Sequence, residues 1–131
     1  MIEVFGYRKL LVYQRSRDYV AMIYRVLQKF PTEERFALCD QLRRAAISIT
    51  SNIAEGMGSF SDKEKIHFLE IAFGSLYETM SQIELALVFN YITQEEFAEF
   101  EKNVVDIAKM LSGLRNSIMN KNATSQQKIN S

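Results

Sequence analysis

The stretch SDKEKIHFLEIAFGSLYETMSQIELALV, residues 61–88, decides the fold. It opens on Ser61-Asp62-Lys63-Glu64, a capping box in which Ser61 and Glu64 satisfy each other's orphan N–H groups at a helix start. Ile66, Leu69, Phe73, Leu76, Met80, Ile83 and Leu87 then recur at intervals of three and four. That period places them on one face of an α-helix, and its length marks a seam of a helical bundle.

Outward from this segment the pattern repeats. Downstream, Thr93-Gln94-Glu95-Glu96 is a second capping box. Phe97, Phe100, Val104, Ile107, Leu111, Leu114 and Ile118 follow it at the same spacing. Upstream, Leu38, Leu42, Ala46, Ile49 and Ile53 keep a helical period, and Gly56 and Gly58 follow. Glycine just past a periodic run supplies the left-handed backbone of a helix stop, so Gly56 is expected at positive φ. Further upstream, Leu10, Tyr13, Val20, Tyr24 and Leu27 form one stripe, with Val12, Tyr19, Ile23, Val26 and Phe30 beside it. Phe30-Pro31-Thr32-Glu33-Glu34 separates these two helices, with proline suited to a first turn and the glutamates to the positive end of the helix dipole.

One proline and five glycines in 131 residues leave few places to break a helix. The fold class is therefore all-α, an up-and-down antiparallel four-helix bundle, with helices at about 7–29, 32–56, 61–90 and 93–119. Residues 120–131, largely polar, are expected to form a disordered tail. Across the second turn, a small-residue stripe of Ala45, Ser48 and Asn52 faces another of Ala72, Ser75 and Thr79. Small side chains let two backbones approach closely, which would also explain Gly74 inside a helix.

A chain of 15.2 kDa is one domain's worth and needs no metal or disulfide staple. Cys39 stands alone in an apolar run, which excludes an internal disulfide and a cysteine-cluster metal site. No basic-plus-apolar leader or membrane-length apolar run is present, so a cytoplasmic location with no membrane partner is expected.

Catalytic chemistry finds little to work with. His67 is the one histidine, so a nucleophile–base pair relying on histidine would have to use it. Glu64-Lys65-Ile66-His67 spells the Glu-x-x-His of di-iron bundles, but such sites need a second copy. Gly56-Met57-Gly58 lacks the third glycine and preceding strand of a phosphate loop. No catalytic residue, cofactor or metal is expected, and the chain is read as a non-enzyme.

Two features point to contact surfaces. Ser48, Ser51, Asn52, Glu55 and Gly56 gather polar groups at a helix end, where Ser and Asn either bond carbonyls one turn back or meet a ligand or subunit. Charge is also uneven although the total is zero: +3 over Met1–Glu55, −6 over Gly56–Phe100 and +3 over Glu101–Ser131. Complementary helices within one chain, or faces of neighbouring subunits, would use that asymmetry.

Phe30-Pro31-x-Glu33-Glu34, Gln41-Leu42-Arg43-Arg44-Ala45-Ala46-x-Ser48-Ile49 and Ser51-Asn52-Ile53-Ala54-Glu55-Gly56 resemble the bacterial 23S rRNA intervening-sequence protein family. So do Phe68-Leu69-x-Ile71-Ala72-x-Gly74-Ser75-Leu76-x-Glu78 and Asn90-Tyr91-Ile92. Thr50 stands where the family often has proline, Tyr13 where tryptophan is common, and Ser59-Phe60 where an arginine often follows the Glu-Gly.

The resemblance implies a four-helix bundle assembling into a ring, with five subunits the expected count, and distant similarity to accessory proteins of diversity-generating retroelements. No enzymatic activity is established for the family, and its name records genomic location, so rRNA binding does not follow from it; a scaffold that contacts RNA or an RNA-handling protein is the leading expectation. The alternative is a protein–protein interaction module that binds no nucleic acid. Candidate nucleic-acid or subunit contacts are Arg35, Arg43 and Arg44, with Arg15 and Arg17 and the neighbouring Arg8 and Lys9. The second apolar stripe of the first helix makes Tyr19, Ile23 and Val26 the candidate oligomer interface, because a bundle core needs only one broad face.

Overall fold

Four long helices form where the apolar period predicts them. The computed structural model describes the backbone of residues 4–130 and the side chains of residues 4–121. The helices are α1 (Leu11–Leu27), α2 (Leu38–Gly58), α3 (Asp62–Val88) and α4 (Gln94–Asn130). Short 3-10 turns at Gly6–Lys9 and Thr32–Glu34 precede α1 and α2. The tail expected at 120–131 lies for the most part outside the described side chains.

Each helix packs on its neighbours in sequence, and α1 also packs on α4, closing a four-cornered bundle. Cross-helix pairs run in opposite order, Arg15 with Asp106 and Lys29 with Glu96, as antiparallel helices require. The core is a continuous cluster including Ile23, Leu42, Ile49, Ile53, Leu69, Leu76, Ile83, Ile107 and Leu111. Tyr19 stands in its centre. Its ring meets Phe100 of α4 edge-on at 6.0 Å, and its hydroxyl reaches diagonally to Thr79 of α3 at 2.9 Å. Burial pushes the Tyr19 phenol up to about 12, offset in part by that hydrogen bond.

Both capping boxes mark real helix starts. Ser61 Oγ accepts from the Glu64 N–H at 3.1 Å. At α4 the exchange is reciprocal, with Thr93 N–H donating to Glu96 Oε1 at 2.8 Å and Glu96 N–H to Thr93 Oγ1 at 3.1 Å.

Helix ends differ from expectation. α1 starts at Leu11 rather than near residue 7, because Leu10 is extended, with φ −72° and ψ 128°. Pro31 is extended and opens only a short 3-10 turn, so α2 starts at Leu38. Gly56 is not left-handed: no glycine among the described residues has positive φ. It lies buried inside the last turns of α2, and α2 ends where Ser59 turns extended and its hydroxyl donates to the Glu55 carbonyl at 2.9 Å.

The left-handed helix stop is instead Asn90 after α3, with φ 63°. Its N–H donates to the Leu87 carbonyl at 3.0 Å, and Tyr91 N–H to the Ala86 carbonyl at 2.8 Å, the paired bonds of a Schellman motif.

Candidate functional site

The small-residue stripes meet as the sequence predicts. Ser48 and Ser75 hydroxyls lie 2.8 Å apart, and Ala45 and Ala72 are buried beside them. Asn52 donates to the Ser48 carbonyl at 2.8 Å and to its hydroxyl at 2.9 Å. A Cβ built on Gly56 would sit 3.1 Å from Phe68 Cβ and 3.3 Å from the Lys65 carbonyl oxygen. Gly56 therefore lets α2 and α3 close on each other, and Lys65 Nζ ties the turn by bonding the Ser59 carbonyl. Gly74 has no such role, since a Cβ there would meet nothing within 4 Å. Of the polar motif, Ser48, Asn52 and Gly56 thus build the α2–α3 seam, while Ser51 and Glu55 are exposed.

Tyr19, Ile23 and Val26 are buried within the bundle's own core. They offer no surface to a second subunit, because α1 is covered by both α2 and α4 and needs both of its stripes. The exposed apolar surface lies elsewhere. α3 shows Ile71, Tyr77, Leu85 and Val88 to solvent, and Phe89 follows at its end.

The arginines divide by partner. Arg15 spans α1 and α4 to Asp106 at 3.0 Å. Arg44 is 80% exposed and pairs with Asp40 one turn earlier at 3.4 Å. Arg17 is exposed and forms no ion pair among the described residues. Arg8 lies over the Phe5 ring at 4.7 Å, and Lys9 is exposed.

Arg35 and Arg43 come together. With Thr32 and Cys39 they line a cleft of about 290 Å³ at the α1–α2 corner, backed by Leu27 and Phe30. Arg35 also lies over the exposed Phe36 ring at 5.3 Å. Cys39 is a free thiol, 4% exposed, and burial raises its pKa while Arg43 draws it back. Glu34, whose charge also raises it, accepts a hydrogen bond from Tyr91 at 3.1 Å. The sequence marked both arginines as candidate nucleic-acid or subunit contacts but gave no sign of a cleft or of Cys39 in its wall, since a cysteine in an apolar run reads as core.

A second cleft, of about 300 Å³, lies between α3 and α4 against Leu69, Phe73 and Leu111, with the Glu70–Arg115 ion pair at its edge, 3.0 Å long. His67 is exposed, its ring 5.6 Å from that of Phe68. Among the described residues, no group of three His, Cys, Asp or Glu side chains could hold a metal ion, and no helix is long and apolar enough to cross a membrane.

This arrangement of helices agrees with known relatives. The model of the 23S rRNA-intervening sequence proteins matches residues 8–113. The chain belongs to that family. A solved structure from Bacteroides thetaiotaomicron, described as a protein with unknown function from the S23 ribosomal protein family, superposes with a TM-score of 0.75. It is 26% identical, and the alignment covers 81% of this chain and 96% of that one. No curated protein matches. The match of this intervening-sequence protein runs from Arg8 to Gly113, so α1, α2, α3, the α1–α2 corner and the Gly56 turn all lie inside it.

Proposed function

We propose that this intervening-sequence protein is a non-enzymatic, homo-oligomeric scaffold that meets RNA or a ribonucleoprotein partner. The observation that carries self-association is α3. It buries Leu69, Leu76 and Ile83 in the core, yet its opposite side carries Ile71, Leu85 and Val88, the last 66% exposed. Apolar side chains left exposed among Glu70, Glu78 and Glu84 on that outer side mark a contact surface. The exposed residues of α3 replace Tyr19, Ile23 and Val26 as the surface proposed for a neighbouring subunit. Five subunits is the count implied by the resemblance to the family.

The RNA part of the reading is supported by the basic corner at Arg35, Arg43 and Arg44 and by the family to which the chain belongs. Repetition of that corner around a ring would add avidity on a long RNA. The competing reading, a protein-interaction module that binds no nucleic acid, is favoured by the neutral chain and by the ion pairs that occupy Arg15 and Arg44.

Light scattering at micromolar concentration is expected to give a mass near five times the 15.2 kDa of one chain. Replacing Leu85 and Val88 together by glutamate should release monomers of unchanged helix content. A monomeric parent overturns the scaffold. Fluorescence anisotropy with a labelled oligouridine should show binding that falls steeply with salt. No binding at low salt leaves the protein-interaction module.

A further inference from the structure

We infer that the cleft at the α1–α2 corner is a binding site for a phosphate group. Arg35 and Arg43 line it together, and neither guanidinium forms an ion pair among the described residues. Arg43 is only half-exposed, so part of its hydration is lost with no carboxylate in return. An anion entering the cleft supplies the missing partner. Each guanidinium presents a planar fork of donors, and the oxygens of a phosphate group match that fork.

The surroundings fit a small anion held by direct contact. The buried Cys39 and the exposed Thr32 complete its lining. Nearby carboxylates are placed as follows: Asp40 pairs with Arg44 at 3.4 Å, Glu34 accepts from Tyr91 at 3.1 Å, and Glu33 is exposed on the 3-10 turn. With Arg44 included, the corner carries three cations and three carboxylates, so a diffuse positive field does not hold the ligand. The guanidinium forks of the two arginines that line the cleft do, and selectivity for a phosphate group over a simple halide follows. The phosphate of an RNA backbone and that of a free phosphomonoester share this chemistry; for the first, the inference rests on the RNA reading above.

The test is a titration of the full-length, ¹⁵N-labelled protein with inorganic phosphate at ionic strength held constant with sodium chloride. Backbone amides of Thr32, Cys39 and Arg43 should shift and saturate. Arg35→Gln and Arg43→Gln should each weaken binding about tenfold or more, with circular dichroism unchanged, whereas Arg44→Gln should not. Absent saturation, or an affinity in both cleft variants equal to that of the parent, overturns the inference. Should one variant lose its fold, the other decides. Labelled oligouridine then separates the sources: if inorganic phosphate displaces it and Arg43→Gln weakens it, the RNA backbone occupies the cleft. Phosphate binding without oligouridine binding keeps the cleft and removes the RNA reading. Oligouridine binding that ignores phosphate and both cleft variants, with no phosphate site, does the reverse.

Discussion

The α2–α3 and α1–α4 seams join antiparallel helices by opposite means. α2 and α3 close through small side chains, with Ala45 and Ala72 buried, Ser48 on Ser75, and Gly56 against Phe68. α1 and α4 have far fewer close backbone approaches and are joined by large or long groups, Tyr19 on Phe100, Arg15 to Asp106 and Lys29 to Glu96. A close seam is set by what is missing from its side chains and tolerates no added volume. A wide seam is filled by what its side chains bring and loses only what is removed.

The most damaging change should therefore be an addition. Gly56→Val places branched carbon against Phe68 Cβ and the Lys65 carbonyl, and is expected to cost about 1–3 kcal/mol in urea unfolding. Gly74→Ala is the control. It lies in the interior of α3 with open space at its Cβ, so the same experiment should show a gain of about 1 kcal/mol from helix propensity. If both variants lose stability alike, the close approach at Gly56 is not what distinguishes this seam.

Removal should act through Tyr19, which fills the wide seam with its ring and reaches across the diagonal to α3 with its hydroxyl. Tyr19→Phe keeps the ring on Phe100 and deletes the hydroxyl shared with Thr79, which still donates to the Leu76 carbonyl at 2.6 Å. A loss of about 1 kcal/mol in thermal or urea unfolding is expected. A neutral outcome would mean that the diagonal bond contributes nothing beyond packing.

The smallest effects belong to the exposed ion pairs. Arg15–Asp106 is more than a third exposed on average, so a double-mutant cycle should return no more than about 0.2–1 kcal/mol. Glu96 adds a pH dependence. The hydrogen bond from Lys29, at 2.6 Å, and then that from the Thr93 N–H hold its carboxyl below the ordinary value. A carboxyl lowered in the folded state stabilises above the unfolded value near ~4.3, and that contribution disappears as pH falls through the lowered one. The melting difference between parent and Glu96→Gln should therefore be present at neutral pH and vanish in acid. A difference that persists below the carboxylate range would assign the effect to the cap's neutral hydrogen bonds.

The two helix stops show where local reading succeeds and where it does not. Ser61 and Thr93 were legible as caps because the bonding partners lie three residues away. Gly56 was legible as special, but its reason was not. A glycine after an apolar run fits a left-handed stop equally well, and only the position of Phe68 across the turn separates the two explanations. Asn90 performs the left-handed stop, and the available signal was an asparagine closing a long apolar run.

By itself, the sequence determined the helices, their order and the small-residue seam. Those follow from periods and spacings within tens of residues, where the chain's own geometry decides which side chains share a face. Tertiary structure alone decided which apolar stripe is core and which is surface. Tyr19, Ile23 and Val26 are as apolar a stripe as any on α3, yet they are buried in the core, while Ile71, Leu85 and Val88 are left exposed. It also decided that Arg35 and Arg43, eight positions apart, line one cleft, whereas Arg44, next to Arg43, turns to Asp40. Burial and convergence are properties of several helices together, and no single helix carries them.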